Sequence, residues 1–190
     1  MTCKFVRTAA WTVLALTGSV NAMAQQKLLP VQSEIAFVSK QMGVPVEGHF
    51  KKFDAQISFD PAKPANSKIA FTIDVASATL GAPESDSELP KAAWFNTAKF
   101  PQATFQSTGV KALGAGKFEV SGQLGIKGSV QNLVVPVALT QSGAMTTASG
   151  SFAIKRLAFR IGENEWADTA VVADDVQVRF KLSLSGVGKF

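Results

Sequence analysis

The sequence has 190 residues, 46% of them hydrophobic, with 14 phenylalanines, no tyrosine and a formal charge of +5 from 19 basic and 14 acidic residues. A single cysteine and a single histidine exclude a disulfide framework and a Cys/His metal centre. The only adjacent basic pairs are Lys51-Lys52 and Lys155-Arg156, so there is no basic stripe for nucleic acid.

Lys4 and Arg7, the apolar run Ala9–Leu16 and the small residues Ala22-Met23-Ala24 have the layout of a secretory leader, predicted to be cleaved after Ala24. The run is too short for a membrane-spanning helix. Residues 1–24 are therefore read as a leader directing export to the periplasm, and residues 25–190 as one domain. Cys3 leaves with the leader. So do Lys4 and Arg7, leaving 17 basic against 14 acidic residues, about +3.

Period-two alternation dominates the rest. Ile35 and Phe37 open it, and Val44, Val46, Gly48 and Phe50 share the next apolar parity. At Lys51-Lys52 the parity switches to Phe53, Ala55, Ile57 and Phe59, which requires a bulge, a bend or a new strand there. Asp60–Ser67 is turn chemistry, and Ile69, Phe71, Ile73 and Val75 make the next strand. Gly81–Phe95 lacks alternation. Ser85-x-x-Glu88 there resembles a capping box, so a short helix or a pair of turns is predicted over about 84–95.

Further strands are predicted at Ala103-Phe105, Phe118-Val120, Leu124-Ile126, Val135–Leu139, Phe152-Ile154, Leu157–Ile161 and Val176–Leu184, with Gly109–Lys117 as a glycine-rich hairpin connection. Many short strands with no long helix mean an antiparallel barrel or sandwich. Phenylalanine fills a core without a hydroxyl that needs a partner, and an eight-stranded barrel either fills itself or holds one ligand.

Val46–Pro61 (VEGHFKKFDAQISFDP), Ile73–Gly81, Asp86–Leu89, Trp94-Phe95, Lys99–Thr108, Gly122–Gly128 (GQLGIKG) and Lys155–Gly162 (KRLAFRIG) follow in order. Together they resemble the YceI-like, lipocalin-like isoprenoid-binding proteins. Glu165–Val176 is similar to a version found in exported proteobacterial members. Gln32 and Glu88 stand where many relatives have histidine.

The resemblance implies an all-β, eight-stranded, up-and-down antiparallel barrel with a short helical segment near 84–95. It also implies an apolar cavity for an isoprenoid lipid or isoprenoid quinone, no enzymatic activity and no further cofactor. Parity and the family pattern together nominate Phe37, Phe50, Phe71, Phe105, Phe159 and Phe180 as cavity residues. Trp94, Phe95 and Trp166, in the two least strand-like segments, are nominated for its mouth. The rival reading is an accessory module docking transiently on an inner-membrane, cytochrome-type protein or on the membrane surface.

Candidates for catalysis are sparse. His49 lies on the polar parity of its strand, and Gly114–Lys117 is too short for a phosphate-binding loop. Asp174-Asp175 reads as a charge pair at a strand edge. Glu163, Glu165 and Asp168 crowd one segment, Arg160–Thr169, with no carboxylate placed opposite them as a glycosidase requires. They read as a solvated turn carrying Trp166, or as a rim closing a barrel mouth.

Overall fold

The computed structural model describes residues 26–190. The leader, its cleavage point and Cys3 lie outside the described residues. Eleven antiparallel strand segments follow in chain order: β1 (Lys27–Leu28), β2 (Glu34–Gln41), β3 (Val44–Phe50), β4 (Phe53–Ser58), β5 (Lys68–Asp74), β6 (Ala78–Thr79), β7 (Gln102–Gly114), β8 (Lys117–Ile126), β9 (Ser129–Ser142), β10 (Met145–Lys155) and β11 (Asp175–Ser185). One short helix, α1, covers Pro83–Glu88.

The count exceeds the expected eight because three strands are bent. β1 and β2 both pair with β11, so they are two halves of one strand. β3 pairs with β6 and β4 with β5, so the chain through β3 and β4 runs antiparallel to the chain through β5 and β6. Lys51 and Lys52 interrupt the first of these at the parity switch, and a 3-10 turn at Val75–Ser77 interrupts the second. Each neighbour pairs with the next, from β5 through β7, β8, β9, β10 and β11 to β2 and β3. The eight strands thus follow one another in an up-and-down ring, in which the β9–β10 ladder spans only Ala138–Ser142 against Met145–Ser149.

Parity explains the interior. Phe118, Val120, Gly122, Leu124 and Ile126 share one face of β8, so the two short strands expected there are one strand. Its apparent gap is Gly122, and the ring of Phe105 fills that space: a Cβ on Gly122 would stand 2.4 Å from Phe105 Cζ. The hairpin expected over Gly109–Lys117 is also shorter. Gly109–Gly114 continues β7, and the turn is Ala115-Gly116, both with positive φ.

Two further expectations are corrected. Leu157–Ile161 is not a strand: Arg156–Phe159 forms a 3-10 turn, ended by Arg160 at φ 57°. The Ser85–Glu88 capping box does not form, because Pro83 takes the first helical position, Ala82 is the N-cap and Ser85 lies inside the helix. Asp86 instead ties α1 back to the barrel. Its carboxylate accepts hydrogen bonds from Thr79 Oγ1 (2.5 Å) and the Leu80 amide (2.6 Å), which hold its pKa below the usual aspartate value.

Candidate functional site

Two chambers occupy the barrel. The first, the apolar chamber, is about 180 Å³ and has walls that expose only apolar surface; Phe71, Phe105, Phe118, Phe152 and Phe180 are among its lining residues. An apolar cavity of about 150 Å³ already stays dry and takes up a benzene-sized guest. The second chamber, about 210 Å³, is lined by Phe37, Phe95, Trp94 and Trp166 together with Ser39, Gln41, Ser85, Glu88 and Arg156. Phe50 and Val178 belong to both walls, so the chambers adjoin there. The Phe50 ring sits 5.4 Å from Phe37 and 6.1 Å from Phe95.

Of the nominated residues, Phe71, Phe105 and Phe180 line the apolar chamber, Phe50 both, and Phe37, Trp94, Phe95 and Trp166 the second. Phe159 lines neither. It is 2% exposed and packs with Val75, Leu89, Ala103 and Ile161, because the turn at Arg156–Phe159 takes it out of strand register. Parity also carries a signal for Ile57, Phe59, Ile69, Phe118 and Leu182, which line the apolar chamber without having been nominated.

Trp94 and Trp166 meet, with ring centroids 5.5 Å apart and planes tilted by 48°. The segments carrying them are joined by backbone, since the amides of Gly162 and Glu163 both donate to Ala93 O, at 2.8 and 2.9 Å. Trp94 Nε1 is buried and has no hydrogen-bond partner among the described residues. An orphaned donor of this kind costs about 1–3 kcal/mol.

The acidic segment is held by two cations that charge counting places on the surface. Arg156 is 2% exposed, and its five N–H donors each meet a backbone carbonyl. Nε donates to Ala173 O, Nη1 to Ile161 O and Gly162 O, and Nη2 to Trp166 O and Val172 O, all at 2.7–3.1 Å. One side chain thereby wraps residues 161–173 around itself. Burial pulls its pKa below the usual arginine range, with Asp174 opposing.

Lys127 lies in the tight turn between β8 and β9, at φ 49° before Gly128 at φ 76°. Its side chain is 3% exposed, and Nζ donates to Arg160 O (2.6 Å) and Glu163 Oε2 (2.8 Å). That hydrogen bond, assisted by the charges of Lys127 and Arg160, lowers the pKa of Glu163.

The three carboxylates therefore do not converge. Glu163 pairs with Lys127, Asp168 accepts from the Ala170 amide (2.8 Å) in a turn, and Glu165 is exposed. Asp174 accepts from the Leu157 amide and Asp175 pairs with Lys155. His49 is exposed on the outer face of β3. No group of His, Cys, Asp or Glu suited to a metal ion occurs among the described residues.

An eight-stranded, up-and-down barrel around an apolar interior is a lipocalin-like binding fold. The chain belongs to the YceI-like family: the YceI-like domain model matches residues 27–184. A UPF0312 protein of Azotobacter vinelandii is 36% identical over 125 residues, covering 64% of this chain and 65% of that protein. The crystal structure of Burkholderia cenocepacia BcnA is 46% identical with a TM-score of 0.80, covering 82% of this chain and 98% of that one. A polyisoprenoid binding domain from Saccharophagus degradans, at 20% identity and a TM-score of 0.69, shares the fold over 85% of this chain and 98% of its own.

Proposed function

We propose that this chain is an exported, periplasmic binding protein that carries or stores an isoprenoid-type lipid or isoprenoid quinone inside its barrel. The observation that carries the reading is the apolar chamber, whose described wall presents no polar atom and which adjoins a second, partly polar chamber at Phe50. A long amphiphile fits such a pair better than a compact polar metabolite does. Burying one CH₂ is worth roughly 0.8 kcal/mol, so each five-carbon unit contributes about 3–4 kcal/mol before ordering costs.

Family membership supports the reading, as does the fold shared with a polyisoprenoid binding domain. The scattered carboxylates and the exposed His49 favour binding over catalysis. An accessory module docking on a membrane protein has no need of a hollow interior, so that rival is the weaker reading.

Native mass spectrometry of protein taken from the periplasm, followed by lipid extraction, tests it. A co-purifying prenyl lipid is the expected result. Protein that is reproducibly empty and takes up no added isoprenoid or quinone overturns the reading.

A further inference from the structure

We infer that the two chambers divide the ligand between them, and that the tryptophan chamber takes an uncharged, oxygen-bearing head group rather than a phosphate. The inference deepens the isoprenoid reading above and rests on it.

The tail has one suitable place. The described wall of the apolar chamber offers no hydrogen-bonding group, so an oxygen atom left there would lose its partners from water. The second chamber carries the hydroxyls of Ser39 and Ser85, the amide of Gln41 and the Glu88 carboxylate in its wall, with Trp94 beside them. The ring of Trp94 lines this chamber, and its Nε1 is a buried donor without a partner among the described residues.

The cations decide the charge of the head. Among the described residues Arg156 is the only cation in the chamber wall, and its five N–H groups are already given to backbone carbonyls. Turning one towards a ligand would release the loop it holds. Lys127 is spent on Glu163 and Arg160 O. Lys91 bonds to Glu88 at 2.5 Å with its side chain 58% exposed, and Lys40 is exposed on the opposite parity to Ser39 and Gln41.

A phosphate in the chamber would meet a carboxylate and no available guanidinium. Anionic head groups are elsewhere taken by arginine forks with donors to give. A carbonyl, alcohol or ether needs only the neutral donors that are present.

The test pairs geranylgeraniol with geranylgeranyl phosphate, which share a tail, in titrations against the exported protein followed by tryptophan fluorescence. The alcohol is expected to bind about tenfold tighter or more. Glu88→Gln narrows the gap and Ser85→Lys reverses it, while Trp94→Phe, which keeps a ring and removes the N–H, weakens the alcohol more than the phosphate. Equal or tighter binding of the phosphate by the unmodified protein overturns the inference. If neither compound binds, the isoprenoid reading itself fails and the inference goes with it.

Discussion

The ring of Phe180 lies against Gly150, its direct partner across β10 and β11, so closely that a Cβ on Gly150 would stand 2.5 Å from Phe180 Cζ and 2.2 Å from Pro136 O. Phe37 repeats the arrangement on its direct partner Gly48, and Phe105 covers Gly122 from a diagonal position. Each ring rests on a neighbour that has no side chain, which leaves the chamber space beyond it open.

Two glycine substitutions should therefore behave differently. Gly150→Ala collides with backbone and should cost about 2 kcal/mol or more. For Gly48→Ala the nearest atoms are side-chain ones, the ring of Phe37 (2.4 Å) and the end of Leu80 (2.8 Å), both of which can swing aside into the second chamber. It should cost about 1 kcal/mol or less and weaken ligand binding disproportionately. Denaturant unfolding and ligand titration of both variants separate the two effects.

Arg156→Lys keeps the charge but supplies one nitrogen for five carbonyls that now have separate donors. A loss of about 3 kcal/mol or more is expected, or roughly 6–12 °C in Tm for a domain of this size. Gly162→Ala should mimic it, since the new Cβ would lie 2.3 Å from Arg156 Nη1 at a position with φ +75°. Differential scanning calorimetry checks both, and an unchanged Tm for either variant contradicts the role assigned to Arg156.

Glu163 contributes a pH-dependent term. Its folded pKa is lowered by the hydrogen bond from Lys127, so its contribution is fully present above the usual glutamate pKa and is lost as pH falls through the lower folded value. Glu163→Gln should lower Tm at pH 7, and the gap from the unmodified protein should close in acid below the ordinary carboxylate range. A gap that is constant across the titration means that the ion pair does not contribute.

Ala148 is 6% exposed and lines the apolar chamber, with neighbours Leu139 and Leu182 across the sheet. Ala148→Phe places a ring in the cavity. Lipid uptake should fall at least about tenfold while far-UV circular dichroism is unchanged. Undiminished uptake by the folded variant would show that the ligand sits elsewhere.

The barrel was largely legible because alternation reports a half-buried strand directly. Even the parity switch at Lys51-Lys52 marked a bend the chain makes. What escaped was set by contacts remote in sequence. Leu157–Ile161 alternates like a strand, yet the carbonyl demand of Arg156 curls it into a 3-10 turn and withdraws Phe159 from the cavity. Nothing local distinguishes buried Lys127 from a surface lysine, because its partner Glu163 arrives from a distant loop. The split of β8 at Gly122 was misread for the same reason, since the missing side chain is supplied by Phe105 of β7. The meeting of Trp94 and Trp166 was foreseen only as a possibility of two irregular segments sharing one end.

The three bent strands are neighbours, and their bends lie side by side. The Lys51 amide donates to Ser77 O, and the Ser183 amide, opposite the break between β1 and β2, donates to Ser33 Oγ. The sheet thus carries a crease across three adjacent strands, next to Phe50, where the chambers adjoin. β7 through β11 are each single continuous strands, and the creased panel is the side whose strands are jointed. Amides at the crease should exchange with solvent sooner than those of Val120 or Leu182, as measured by hydrogen exchange. A guest too long for the resting interior would then be accommodated by flexing of this one panel, with the ladders of the opposite side intact.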